Sequence, residues 1–135
     1  MEQQVLELSQ HVHQLEQQGM EISSGWYNFA PAERTELEQL TAISEQSLKT
    51  LEQLSEHLSA ILKTQGASDD RRQSLQYAYN LVQELMQSRQ ANMEMLNTVL
   101  AQNKPYNEYL RALAVKEKAA ASQTHKLQQT LVQLQ

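Results

Sequence analysis

The stretch LEQLTAISEQSLKTLEQLSEHLSAIL, residues 37–62, carries no Pro and no Gly, and its apolar residues keep helical spacing. Leu37, Leu40, Ile43, Leu48, Leu51, Leu54, Leu58, Ile61 and Leu62 form one stripe, with Glu, Gln, Ser and Lys on the remaining faces. Such a pattern is an amphipathic α-helix that must bury one side against other helices.

The same signature recurs on both sides of it. Upstream, Val5, Leu8, Val12, Leu15 and Ile22 keep a three- and four-residue step, with Gly19 in the slot between Leu15 and Ile22. Continuing that step reaches Trp26 and Phe29, so the aromatic stretch SSGWYNFAP (residues 23–31) lies in phase with the first stripe. Gly19 and Gly25 are its weak points, since Gly costs about 1 kcal/mol against Ala inside a helix. Pro31 fits the first position of the second helix, with Glu33 and Glu36 favoured near that N-terminus. Downstream, TQGASDD places Gly66 as a C-cap and Ser68 as an N-cap, with Asp69 and Asp70 in the next first turn. A third stripe is Leu75, Ala78, Val82, Leu85, Met93, Leu96 and Val99, widened by Leu81, Met86 and Leu100. Arg89 and Asn92 interrupt its register, and polar seam residues of this kind fix register or partner at a cost in stability. After Pro105, which breaks or kinks the helix, Leu110, Leu113, Ala120, Leu127, Leu131 and Leu134 form the last stripe, with Glu117 and Thr124 in the same register.

Four helices over about 3–29, 32–65, 69–103 and 106–134 follow, each about 40–50 Å long. The expected fold is all-α, a single antiparallel up-down bundle of four long helices. The alternative is a three-helix coiled-coil-like rod in which the last two helices run on through a kink at Pro105.

Composition agrees. The chain has 135 residues, with Leu and Gln dominant and only five Gly and Pro together, too few for a many-turned β protein. The absence of Cys removes disulfides and thiolate metal sites. Neither a signal peptide nor an apolar run of the roughly 20 residues that a membrane span needs is visible, so a soluble cytoplasmic protein without membrane insertion is expected. The net charge of −5 is uneven: residues 1–70 hold twelve acids against three bases, and residues 71–135 four against eight. This asymmetry either favours packing of the two halves or leaves a solvated acidic surface. The positive charge is too weak and dispersed for nucleic-acid binding.

No catalytic constellation emerges. His11, His13, His57 and His125 lack the helical i, i+4 pairing of a metal site, and none follows a Glu by three residues. No Gly-x-Ser-x-Gly elbow or phosphate-cradling Gly loop is present. Catalytic residues, metal ligands and cofactors are all expected to be absent. Met93 and Met95 read as core filler or as a soft, adaptable surface for partner helices, and the Ala-rich ALAVKEKAAAS (residues 112–122) as either a close helix contact or a loose terminal helix. In an up-down bundle the first and third connections share one end, which brings Trp26, Tyr27 and Phe29 near Tyr106 and Tyr109. This cluster either seals the core or offers aromatic anchors to a partner.

The stretch LVQELMQSRQANMEMLNTVLAQNKPYNEYLRAL, residues 81–113, is similar to the later helical region of FlgN-type flagellar export chaperones. Matching features are the Leu- and Gln-rich helix and Asn92 and Asn97 ahead of Leu96, Val99 and Leu100. The resemblance implies a non-catalytic chaperone of protein transport that binds late flagellar axial proteins before export, with Leu127, Leu131 and Leu134 of the last helix as candidate contacts. Protein partners engaged through amphipathic helices are thus expected, with Trp26, Tyr27, Phe29, Asn92, Asn97, Tyr106 and Tyr109 as further candidates. The competing reading is a self-associating coiled-coil structural or assembly protein, a homo-oligomer.

Overall fold

The computed structural model describes residues 3–64, 69–102 and 107–134, and it is a four-helix bundle. The helices are α1 (Gln3–Ser23), α2 (Arg34–Lys63), α3 (Asp69–Gln102) and α4 (Asn107–Gln133), with a 3-10 turn, Ser24–Asn28, after α1. Each helix packs on two neighbours: α1 and α3 both lie against α2 and α4, so α1 faces α3, and α2 faces α4, across the diagonals. Helices α3 and α4 are separate elements packed side by side, so the continuous rod is not formed. The expectations for Gly66, Ser68, Pro105 and Tyr106 lie outside the described residues.

The stripes build the core. Val12, Leu40, Leu51, Leu54, Leu58, Leu75, Val82, Leu96, Leu113, Leu127 and Leu131 are fully buried. Several positions differ from the expected pattern. Leu8, Ile22, Ile43, Leu48, Ile61, Leu62 and Met93 are only half-buried, while Ser9, Ser44, Ser47 and Thr50 are buried in the seams. Ser9, Ser44 and Thr50 donate their hydroxyls to carbonyls of the preceding turn of their own helix, at 2.8, 2.7 and 2.8 Å. A short side chain whose hydroxyl is satisfied locally can occupy a seam where two helices approach closely.

The buried apolar residues fall into two clusters. The larger includes Val5, Val12, Leu51, Leu54, Leu58, Leu75, Leu85, Leu127 and Leu131. The smaller closes the other pole with Trp26, Leu37, Leu40, Leu96, Val99, Leu110, Leu113 and Ala114, and Tyr109 packs on it from the side.

The first helix stops earlier than its stripe suggests. The Ser23 and Ser24 hydroxyls bond back to carbonyls of Gly19 and Glu21, both at 2.9 Å, and the chain tightens into the 3-10 turn. Its end is a Schellman closure: Ala30 N–H reaches the Gly25 carbonyl and Phe29 N–H the Trp26 carbonyl, each at 3.1 Å. Phe29 sits in the left-handed position of that closure, at φ 63°. Trp26 therefore keeps its place in the stripe, at 2 % exposure, but Phe29 is turned out to 51 %. The second helix also starts later than expected. Glu33 is its N-cap, and its backbone N–H donates to the Glu36 carboxylate at 3.0 Å. This capping box fixes Arg34 as the first helical residue and leaves Pro31 ahead of the helix.

Trp26→Ala is expected to lower unfolding free energy by about 3–5 kcal/mol, the cost of truncating a large buried aromatic. Phe29→Gly should hold or raise stability, because Gly takes the left-handed conformation without the roughly 1–2 kcal/mol penalty of an L side chain. Urea denaturation of the two variants measures both; an unchanged midpoint for Trp26→Ala contradicts the plug.

Candidate functional site

Between the two apolar clusters lies a layer with no apolar counterpart. Each helix contributes to it: Glu16 from α1, Ser44 and Ser47 from α2, Arg89 and Asn92 from α3, Glu117 from α4. All six are buried to 1 % exposure or less, apart from Arg89 at 2 %.

Arg89 organises the layer. Its Nε and Nη2 donate to the two oxygens of Glu16, and the Nε contact is 3.1 Å. Its Nη1 and Nη2 donate to the two oxygens of Glu117 at 2.6 and 2.8 Å. The remaining Nη1 hydrogen goes to the Ser44 hydroxyl at 3.0 Å. All five guanidinium donors are thereby used, in two carboxylate forks sharing one cation. Ser47 donates to Glu16 at 2.5 Å, and Asn92 to Glu117 at 3.4 Å. No buried side-chain donor or acceptor among the described residues lacks a partner. Room for the Glu117 carboxylate comes from Gly19, where a Cβ would stand 3.1 Å from Glu117 Oε2 and 3.1 Å from Leu40 Cδ1.

Two carboxylates on one guanidinium leave the layer with an excess negative charge when both are ionised. Burial pushes the Glu16 carboxyl above its ordinary 4.5; Glu117 adds to this, while Arg89 and Ser47 pull against it without cancelling it. Burial works against the charge of Arg89 as well, but the hydrogen bonds and charges of Glu117 and Glu16 hold its pKa above the ordinary value. Next to this layer, His13 Nδ1 lies 2.9 Å from Thr124 Oγ1, whose own hydrogen goes to the Ala121 carbonyl. His13 Nδ1 is therefore the donor. The His13 and His125 rings lie 5.6 Å apart. Burial, followed by the charge of His125, lowers the His13 pKa from 6.5.

A second feature is on the surface at the aromatic pole. Tyr27 and Phe29 are 46 % and 51 % exposed, and Arg111 of α4 lies over both rings, its guanidinium carbon 4.5 Å from the Tyr27 centroid and 5.1 Å from that of Phe29. Beside them a cleft of about 600 Å³ runs between α1 and α4, lined by Met20, Glu21, Ser24, Tyr27, Ala114, Val115 and Lys118.

The residues expected to meet a partner thus separate. Tyr27, Phe29 and Asn97 are exposed and Tyr109 is half-buried. Trp26 is the core plug, Asn92 belongs to the buried polar layer, and Tyr106 lies outside the described residues. Leu127, Leu131 and Leu134 are buried inside the bundle, so they meet a partner only if α4 moves out of it. Sequence reasoning placed Arg89, Asn92 and Glu117 in the seams. It missed Glu16, which adjoins Leu15 and has no mark of its own, and it did not bring the four together. It also missed Arg111, whose role depends on the outward turn of Phe29. Among the described residues no set of three or more His, Asp or Glu is placed to hold a metal ion, and no helix is long and apolar enough to cross a membrane.

No family model, no curated protein and no solved structure matches the chain. The geometry has to carry the functional argument.

Arg89→Met is expected to cost about 3–5 kcal/mol, because it strands two buried carboxylates. Replacing Glu16, Arg89 and Glu117 together by Leu or Met should be neutral or stabilising, by about 1–4 kcal/mol, since the desolvation cost of all three charges disappears. Urea unfolding of the single and triple variants checks the reversal.

The layer should also leave a mark in pH. With its raised pKa, Glu16 takes up a proton in the folded protein before it does so in the unfolded chain. The folded state therefore gains as pH falls from above that raised value toward 4.5, and the gain is complete below 4.5. The stability of the wild type minus that of Glu16→Gln is expected to grow as pH falls through this window. His13, whose lowered pKa acts in the opposite sense below 6.5, is present in both proteins and cancels. Urea midpoints of the two proteins at a series of pH values test this; a pH-independent difference contradicts it.

Proposed function

We propose that the protein is a non-catalytic helical binding module that docks a partner's helical segment at its aromatic pole. One observation carries the reading: a Phe occupies the left-handed closing position where Gly is the usual residue, and its ring is half in water. Backbone strain spent to expose an aromatic ring contributes nothing to the core and suits a contact surface. The neighbouring cleft and the stacked Arg111 add apolar area and a fixed cation to the same face.

The resemblance of residues 81–113 to FlgN-type chaperones gives the reading a more specific form: a cytoplasmic flagellar or type III export chaperone holding helical segments of secreted axial proteins. In a closed bundle the pole is the accessible docking surface, because Leu127, Leu131 and Leu134 face inward. Contact through those leucines requires α4 to exchange places with the partner's helix.

Self-association is the second reading, favoured by the distribution of charge. Exposed α2 carries Glu38, Glu45, Glu52 and Glu56, whereas exposed α4, on the opposite corner, carries Arg111, Lys116, Lys118 and Lys126. An acidic corner of one copy and a basic corner of the next are complementary.

Light scattering across a dilution series, with and without a purified helical terminus of a flagellar axial protein, separates the two. The expected result is a constant monomer mass alone, a defined complex with the axial segment, and loss of that complex in Tyr27→Ser/Phe29→Ser at unchanged thermal stability. Absence of any complex overturns the export reading. A complex indifferent to the double substitution moves docking away from the pole, and a mass that rises with concentration favours self-association.

A further inference from the structure

We infer that the α1–α4 cleft receives an amphipathic helix bearing two carboxylates about two turns apart, beside an apolar stripe. The inference rests on the pole being a docking surface and goes further, to the chemistry of the occupant.

The floor of the cleft is apolar where Met20, Ala114 and Val115 meet, and Val115 is 51 % exposed. A shallow trough between two antiparallel helices has the shape that a third helix fills, with apolar residues at i, i+3, i+4 and i+7 inward. Two cations of α4 stand at the cleft: Lys118 lines it, and Arg111 lies beside it, stacked on the lining residue Tyr27. They are seven residues apart, which is two helical turns or about 10.5 Å along the axis. Neither has a carboxylate partner among the described residues, although Glu21 lies in the same cleft. Arg111 is moreover held in place. Its guanidinium lies over Tyr27 and Phe29, which fixes its position and leaves its N–H edge for an acceptor. Two unpaired cations in line along an apolar trough select a helix with acids at i and i+7 on the α4 side. Glu21, the acid among the lining residues, stands on the α1 bank and disfavours acids there.

The test uses two synthetic helical peptides labelled with fluorescein. Both carry a Leu and Phe stripe; one has Glu at two positions seven residues apart bordering it, its twin has Lys there. Anisotropy titration at 0.15 M salt is expected to show the Glu peptide binding about tenfold more tightly, as expected for two exposed ion pairs becoming repulsions. Arg111→Glu/Lys118→Glu should invert the order, and Tyr27→Ser/Phe29→Ser should weaken both peptides. Equal affinities, an order unchanged by charge reversal, or no binding of either peptide overturns the inference. Sedimentation velocity of the protein alone supplies the other check: a dimer dissolved by Arg111→Glu/Lys118→Glu gives the cleft to a second copy and likewise overturns it. An axial segment that needs Tyr27 and Phe29 while the peptides show no charge preference leaves the docking surface intact and removes only this assignment.

Discussion

Arg89 is the constraint on which the rest of the bundle turns. Its guanidinium lies at the level where α1, α2 and α4 all converge, and its five hydrogens reach all three. Helices α1 and α3 are diagonal partners without direct packing, so the fork to Glu16 is a bond across the bundle axis. A four-helix bundle of Leu seams admits neighbouring registers of nearly equal energy. One charged layer does not, because sliding α1, α3 or α4 by a turn leaves a buried carboxylate or the guanidinium without its partner. Such a slip costs several kcal/mol, against the smaller loss from a shifted apolar contact. The layer thus trades stability for register, and Gly19 follows from it: the Glu117 carboxylate fills the space a side chain would take.

This layer also divides the labour between the two halves of the molecule. Toward the pole of α1's N-terminus, the seams are long runs of Leu and Val with hydroxyls satisfied within their own helices. That half is a core and little else. The other half is short and is closed by one residue, Trp26, because the chain must turn there within a few positions. The 3-10 turn brings successive residues out at nearly threefold spacing. With Trp26 directed inward, Tyr27 points away from the core; Phe29, three residues on, would eclipse Trp26 at that spacing and is turned outward by its left-handed conformation. Plug and display are therefore two results of one local geometry.

Much of this fold was legible in the sequence. The four stripes and the acids at the start of α3 can be read directly, whereas the sequence leaves open whether Pro105 separates α3 from α4 and whether Trp26 seals the core or faces a partner, and the packing decides both. Spacing failed where chemistry outweighed hydrophobicity. Ile43 and Leu48 looked like seam positions by composition, but the five-residue step between them skips the seam. Ser44 and Ser47 fill it because the Arg89 layer needs donors and acceptors there. Glu16 could not be told from the many solvated glutamates of the first half, since nothing local distinguishes an acid whose partner is 73 residues away. Phe29 was misread for a different reason. Phase arithmetic assumes that the helix continues, and a Schellman closure ends it with a left-handed residue whose side chain no longer obeys that phase.

The uneven charge of the chain takes its meaning from topology. Acidic and basic halves of a sequence suggest two halves drawn together, and one ion pair that joins them, Arg89 with Glu16, is buried. The other charges of α2 and α4 are mostly exposed, and those helices occupy opposite corners. The bundle is consequently polar across its width. Its acidic corner is remote from the aromatic pole's cleft, and its basic corner forms one bank of that cleft. At physiological ionic strength the screening length is about 8 Å, so a docking segment in the cleft feels Arg111 and Lys118 and is largely screened from α2. A protein of net negative charge can in this way favour an acidic ligand, because the local field at the cleft, not the total charge, decides what binds.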